Sequence, residues 1–254
     1  MKLTVLGTGT VSPSPVRTSA AHLVEAGDVR LLLDCGAGTL HRLAQAGAAW
    51  QEITHLALTH FHVDHWGELA AFIFAQKWGA PTPRSLPLTL IGPVGLTSRL
   101  EHLARGLGDW LLAPGFDLEL VELAPPAGVQ LAPDVELGCC ATAHTDESVA
   151  YAVTADGRRL VYTGDTGPND ALADWADGCD LLLVECSLPD ESDIGIHLTP
   201  HTVSELVRRA SPARVVLTHL YPVVPEAQAL ATVRETGVDA VVAADGEVFD
   251  LGVA

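Results

Sequence analysis

Basic residues are scarce in this chain of 254. Lys and Arg number 14 against 32 Asp and Glu, a formal net charge of −18. A surface of that sign repels a phosphate backbone, which excludes loose, sequence-independent binding to nucleic acid as the main activity. A local cationic patch or a metal can still attract an anion. Cysteine is also sparse. The five residues Cys35, Cys139, Cys140, Cys179 and Cys186 are odd in number and form no CxxC pair. That excludes a full disulfide framework and a thiolate zinc knuckle, and it fits a reducing, cytoplasmic compartment. No stretch of about 18 uncharged apolar residues occurs, so no membrane span is expected. The opening Met1–Gly7 is too short an apolar run for a signal peptide. Linkers, low-complexity segments and short repeats are missing as well.

What is present suits a folded enzyme. Hydrophobic residues make up 48% and charged residues 18%, enough apolar material for a sizeable core. One domain over residues 1–254 is expected. Strand-like runs (Lys2–Leu6, Arg30–Asp34, His55–Leu58, Leu88–Ile91) alternate with helix-like ones (Leu40–Ala46, Trp66–Trp78, Gly95–Leu107). The second half repeats the alternation with more strands, ending near Thr142, Thr163, Glu185, Leu217 and Ala243, and with helices at Asp170–Asp177, Thr202–Ala210 and Pro225–Glu235. The segment Ala124–Gly128 reads as a loop. The pattern suits two β-sheets packed face to face with helices outside, and a doubly wound single sheet is the alternative.

The chemistry concentrates in Thr59-His60-Phe61-His62-Val63-Asp64-His65. In an extended stretch, residues two apart point the same way, so His60 and His62 can grip one ion. Asp64 and His65 follow where the chain turns into a helix and can face a second ion. Imidazole with carboxylate suits Zn²⁺, with Mn²⁺ or Fe²⁺ as alternatives. Three later strands each end in a further ligand type: His144, Asp165 in a Gly-Asp-Thr turn, and His219. Singly, each reads as a cap or turn residue. Together they point to a metal site at the strand ends.

The order H-x-H-x-D-H, His, Gly-Asp-Thr, Thr-His resembles the metallo-β-lactamase superfamily. The resemblance implies an α/β fold, an αββα sandwich of two packed mixed sheets with helices on both outer faces. It implies two Zn²⁺ per chain: His60, His62 and His144 on one, Asp64, His65 and His219 on the other, with Asp165 bridging. Asp34 matches a supporting residue that does not ligate. The opening Leu-Gly-Thr-Gly-Thr, Leu183-Val184-Glu185-Cys186-Ser187 and His197-Leu198-Thr199 are similar to ribonuclease Z and its phosphodiesterase relatives. In that group a His protonates the leaving oxygen and a Glu orients it, roles that fall here to His197 and Glu185. Asp64 then serves as both ligand and base.

The resemblance therefore implies a dinuclear zinc phosphodiesterase that uses a metal-bridging hydroxide on a small or short-chain diester. The alternatives are an ester, thioester or lactone hydrolase of the same superfamily, or a tRNA 3′-processing ribonuclease Z. Ribonuclease Z carries a tRNA-clamping arm between the His and Asp ligands. One short hairpin fills the interval from His144 to Asp165 here, so extended tRNA binding is not expected. Apolar segments at Leu69–Trp78 and Trp110–Leu112 suit either the core or a homodimer face. His22, His41, His55, His102 and His201 read as surface or cap residues, and Cys35 and Cys186 as packing.

Overall fold

The computed structural model describes residues 1–252, and the domain expected over 1–254 runs two residues beyond them. Seven strands form the first sheet: β1 (Lys2–Gly7), β2 (Ala21–Ala26), β3 (Val29–Leu33), β4 (His55–Ala57), β5 (Leu88–Pro93), β6 (Leu118–Leu123) and β14 (Glu247–Asp250). Their order is β14-β1-β2-β3-β4-β5-β6. The other seven are β7 (Gly128–Ala132), β8 (Val135–Ala141), β9 (Val149–Ala155), β10 (Arg158–Tyr162), β11 (Leu181–Glu185), β12 (Arg214–Thr218) and β13 (Asp239–Val242). They run β13-β12-β11-β10-β9-β8-β7. Each sheet is mixed. β3 to β6 pair in parallel, as do β10 to β13, and the remaining pairs are antiparallel. This is the metallo-β-lactamase αββα sandwich.

Side-chain alternation explains the layering. In β9, Val149, Tyr151, Val153 and Ala155 enter the core between the sheets, whereas Ala150 and Ala152 face the helices. In β11, Leu181 and Leu183 point inward while Leu182 and Val184 point outward. Both faces of these strands are covered, so they read as unbroken apolar runs. The outer layer on the second sheet is α5 (Asp170–Trp175), α6 (Pro200–Ala210) and α7 (Glu226–Arg234). The outer layer on the first is α1 (Thr39–Gln45), α3 (Leu69–Trp78) and α4 (Leu96–Leu107), preceded by the one-turn α2 (Val63–Trp66). No helix among the described residues is long and apolar enough to cross a membrane.

Three local expectations change. The helix read over Trp66–Trp78 is two helices, because Glu68 leaves the helical path. Its N–H donates to Cys35 O at 3.0 Å and its carboxylate accepts from Leu40 N–H at 3.2 Å. β2 and β7 were not legible: Ala-His-Leu-Val-Glu-Ala and Gly-Val-Gln-Leu-Ala have weak strand propensity, and pairing with their neighbours overrides it. His22, read as a surface residue, is fully buried on β2 against the ring of Tyr162 at 4.7 Å.

The fold gathers six strand ends on one edge. β3 leads to Asp34, β4 to His60, β8 to His144, β10 to Asp165, β11 ends at Glu185 and β12 leads to His219. Two bonds tie the sheets together there. Val149 N–H donates to Thr59 O at 3.0 Å, and Tyr151 OH donates to Leu58 O at 2.8 Å.

Candidate metal centre and active site

Two groups of side chains converge on this edge. Ligand atoms of His60, His62, His144 and Asp165 lie within 4.8 Å of one another, as do those of Asp64, His65 and His219. Asp165 stands between the groups. Its Oδ2 is 3.8 Å from His60 Nε2 and 3.7 Å from His144 Nε2, and its Oδ1 is 3.3 Å from His65 Nε2 and 3.4 Å from His219 Nε2. Gly164 sets that orientation. It adopts φ +56°, and a Cβ there would come within 2.8 Å of the Thr59 side chain. Asp34 (φ 60°) and His219 (φ 54°) also hold the left-handed conformation without being glycine, a cost that the surrounding hydrogen bonds sustain.

The outer nitrogens of the histidines decide what the inner ones can do. Asp34 is the hub for two of them. It accepts from Thr59 N–H at 2.7 Å, Tyr162 OH at 2.8 Å and His65 Nδ1–H at 2.8 Å. Thr59 Oγ1 donates to Asp34 at 2.9 Å and so accepts from His60 Nδ1–H at 3.0 Å. His144 Nδ1–H donates to Ile196 O at 2.9 Å, and His219 Nδ1–H to Ser187 Oγ at 2.8 Å. Each of these rings thus presents an inner Nε2 lone pair. Those lone pairs face one another: His65 Nε2 is 3.2 Å from His219 Nε2, and His144 Nε2 is 3.0 Å from His62 Nδ1. His60 Nε2 and Asp165 Oδ1 are buried with no hydrogen-bond partner. Converging lone pairs and an orphaned carboxylate oxygen are what a cation satisfies. The separations also suit one, since ligands about 2.0–2.1 Å from a tetrahedral ion stand roughly 3.3 Å apart. The donor set, imidazole and carboxylate, fits a transition metal.

The local charges agree. Burial opposes ionisation of Asp165, yet His219 and His65 hold its carboxyl well below the usual range. Asp64 is also lowered: burial opposes this, and the hydrogen bond from His219 with the nearby His65 prevails. Burial and the neighbouring His65 keep His60 well below the ordinary imidazole value.

His197 and Glu185 meet beside these groups. His197 Nδ1 lies 3.0 Å from Glu185 Oε1 and 4.0 Å from Asp165 Oδ2. Glu185 is fully buried and accepts from Thr166 N–H at 2.7 Å, Leu198 N–H at 3.1 Å and the Ser187 hydroxyl. Burial lowers the His197 value, but the Glu185 hydrogen bond and charge raise it overall. The Thr of His-Leu-Thr has a mechanical role. Thr199 caps α6 through a reciprocal bond with Thr202, and Pro200 starts the helix. His197 is thereby fixed two residues before Thr199, the cap of a rigid helix.

All nine residues singled out by sequence (His60, His62, Asp64, His65, His144, Asp165, Glu185, His197 and His219) therefore lie on one edge. Sequence reasoning missed Thr59, Tyr162 and Ser187, which orient the histidines. It also missed the backbone carbonyl of Ile196, which has no sequence signature. The geometry adds an overlap that sequence did not foresee: His197 lies within 4.8 Å of Asp165 and His219 as a third potential group.

A family model described as anti-Pycsar protein Apyc1 matches residues 1–238. The ribonuclease Z of Mycobacterium avium strain 104 is 30% identical over 247 residues, covering 87% of this chain and 86% of that protein. Among solved structures, the metallo-β-lactamase fold protein YhfI from Bacillus subtilis superposes with a TM-score of 0.84 at 21% identity over 98% of both chains. The short form of human tRNase Z gives 0.79 at 22% identity and covers 100% of both chains. The structural likenesses establish the fold.

Proposed function

The chain belongs to the family described as anti-Pycsar protein Apyc1, metallo-β-lactamase-fold hydrolases related to ribonuclease Z, and from that membership we propose that it is a dinuclear zinc phosphodiesterase acting on small or short-chain diesters. The observation that carries this reading is the His197–Glu185 contact at 3.0 Å, set beside a metal-ligand cluster. A thioester hydrolase expels a thiolate that leaves without a proton, whereas the alkoxide leaving group of a phosphodiester needs one.

In this proposal His60, His62 and His144 would hold one ion and Asp64, His65 and His219 the other, with Asp165 placed between the two groups. Bound ions of this kind supply Lewis acidity, neutralise phosphate charge and make a nucleophile available at neutral pH. The protein does the rest. Glu185 accepts the Nδ1 proton of His197, which fixes the tautomer and leaves Nε2 to hold the catalytic proton. His197 passes that proton to the leaving oxygen, and the buried Glu185 stabilises the imidazolium beforehand. Asp64 doubles as base at the nucleophile's side.

The name of the curated relative favours a second reading, 3′ processing of tRNA. The −18 charge and the short hairpin β9–β10 count against it. A homodimer, a cytoplasmic location and one domain over 1–254 complete the proposal. Exposed Phe74 and Trp78 cluster with the half-buried Trp110, ring centroids 4.4–6.0 Å apart, which supports the dimer face. The test is a substrate panel on zinc-loaded protein: bis-p-nitrophenyl phosphate, cyclic nucleotides, precursor tRNA, thioesters and lactones. Turnover confined to the phosphodiesters supports the proposal. Turnover confined to thioesters or lactones refutes it.

A further inference from the structure

The opening turn Leu6-Gly7-Thr8-Gly9-Thr10, to which the proposed chemistry gives no part, is held by a carboxylate from the far end of the chain. Asp245 lies between β13 and β14, and its side chain is only 2% exposed. Its Oδ1 accepts from Thr8 N–H at 2.9 Å and from the Thr8 hydroxyl at 2.6 Å. Its Oδ2 accepts from Thr18 N–H at 2.7 Å, from the Thr18 hydroxyl at 3.0 Å and from Arg42 Nη2–H at 2.9 Å. Donors on both oxygens leave the carboxylate no freedom to turn. The two arms that it grips also clasp each other. Gly9 N–H donates to Thr18 O at 2.7 Å, and a Cβ on Gly7 would stand 1.9 Å from Ser19 O. Arg17 closes the clasp by donating to the Thr8 hydroxyl and to Ala243 O.

Each arm continues to the same ligand group. Thr8 O accepts from Leu220 N–H at 3.1 Å, which fixes the peptide that follows His219 and supports its left-handed φ of 54°. Past Thr18 the other arm reaches Ala20, whose carbonyl accepts from Gly36 N–H at 3.0 Å. Gly36 lies against the backbone of Asp64, where an added Cβ would be 2.1 Å from Asp64 O, and Cys35 N–H donates to His65 O at 2.6 Å. Among the described residues, no hydrogen bond from residues 7–20 reaches His60, His62 or His144. We propose that Asp245 is a positioning residue for the group Asp64, His65 and His219 alone, acting through the Thr8 and Thr18 arms across 237 and 227 positions of sequence. The ionised carboxylate is what the place requires. An amide of the same shape turns one acceptor into an NH₂ group that faces donors, so one arm is released. A partner that orients a metal ligand from behind is worth about 10–100-fold in metal affinity. This role presupposes the reading of the cluster as two metal sites.

The experiment is zinc titration of the full-length protein against a chromogenic chelator, in two backgrounds. His62→Ala disables the first group and leaves the second, and His65→Ala does the reverse. In the His62→Ala background, Asp245→Asn is expected to weaken the remaining zinc by about 10-fold. In the His65→Ala background it should change the affinity by no more than about twofold, as independent sites do. Thr8→Val keeps the carbonyl that receives Leu220 and removes one donor from Asp245. It should weaken zinc in the His62→Ala background in the same direction but by less, and it carries the test if Asp245→Asn does not fold. A general loss of stability loosens both groups alike. Equal weakening in the two backgrounds therefore overturns the positioning role, and so does no weakening in either. A single ion in the unmodified protein overturns the two-site reading and the role with it. Two ions there, with equal weakening by Asp245→Asn, overturn the role alone.

Discussion

His65 Nε2 stands 3.2 Å from His219 Nε2, and both rings are buried. The outer nitrogen of each ring is a hydrogen-bond donor, to Asp34 and to Ser187. Two inner nitrogens so close need a proton or a metal ion between them, and the facing carboxylates of Asp64 and Asp165 favour either positive charge. Saturating zinc should therefore load two ions per chain, read by elemental analysis. His65→Ala should reduce this to about one, and chelation should lower the melting temperature because binding to the folded state alone stabilises it. A single ion in the unmodified protein, with no change in His65→Ala, contradicts the dinuclear reading.

Gly164 is a mechanical part of the same site. Its φ of +56° and the 2.8 Å approach of a built Cβ to Thr59 predict that Gly164→Ala destabilises the fold by about 1–3 kcal/mol. Asp165 follows directly, so metal loading should fall as well. Urea denaturation and elemental analysis measure the two effects. Unchanged stability with full loading would mean that the turn relaxes freely.

A pH effect comes from His22, which is fully buried with neither ring nitrogen hydrogen-bonded. Burial, with smaller contributions from His65 and His219, pushes its pKa down to about 3. The unfolded chain binds this proton below its ordinary value and the folded chain does not. The stability is thus fully present above about pH 6.5 and declines as pH falls toward 3, by up to about 1.4 kcal/mol per pH unit. His22→Phe should flatten the decline between pH 6.5 and 4.5, measured by urea midpoints. An unaltered slope would place His22 outside the acid response.

Precursor tRNA should be a poor substrate beside a simple diester at physiological salt. Of the three candidate clamp residues Arg84, Arg99 and Arg105, two are engaged, and a lone arginine makes a poor clamp for a polyanion. Arg84 donates to the carbonyls of Gln51, Ile53 and Pro87, and Arg99 pairs with Glu147. Rapid 3′ trimming by the purified protein is the outcome that counts against this, read on a denaturing gel.

The ligand types were legible because each occupies a fixed place after a strand, and strand ends are marked by apolar runs followed by Gly or Thr. The alternation of apolar runs left two packed sheets and one doubly wound sheet open, and the family resemblance of the ligand order pointed to the sandwich. The second layer of the site was not legible. Tyr162 bonds Asp34 across 128 positions at 2.8 Å, and Ser187 links Glu185 to His219. Such partners come from sheet pairing, which local pattern does not encode. The backbone carbonyl of Ile196 has no residue identity to detect. The split of Trp66–Trp78 at Glu68 depends on bonds to Cys35 and Leu40, so helix periodicity alone runs through it.

Protonation of the leaving oxygen by His197 shows itself in the leaving-group dependence of His197→Ala at constant metal content. Loss of a proton donor costs about 10²–10⁴ in kcat. A fall of that size is expected on a diester with an alkyl leaving group and a much smaller one on a p-nitrophenyl ester, whose phenolate leaves without a proton. Glu185→Gln should show the same dependence more weakly. Equal losses on both esters, or loss of metal from His197→Ala, would contradict the claim and make His197 a positioning or metal-binding residue.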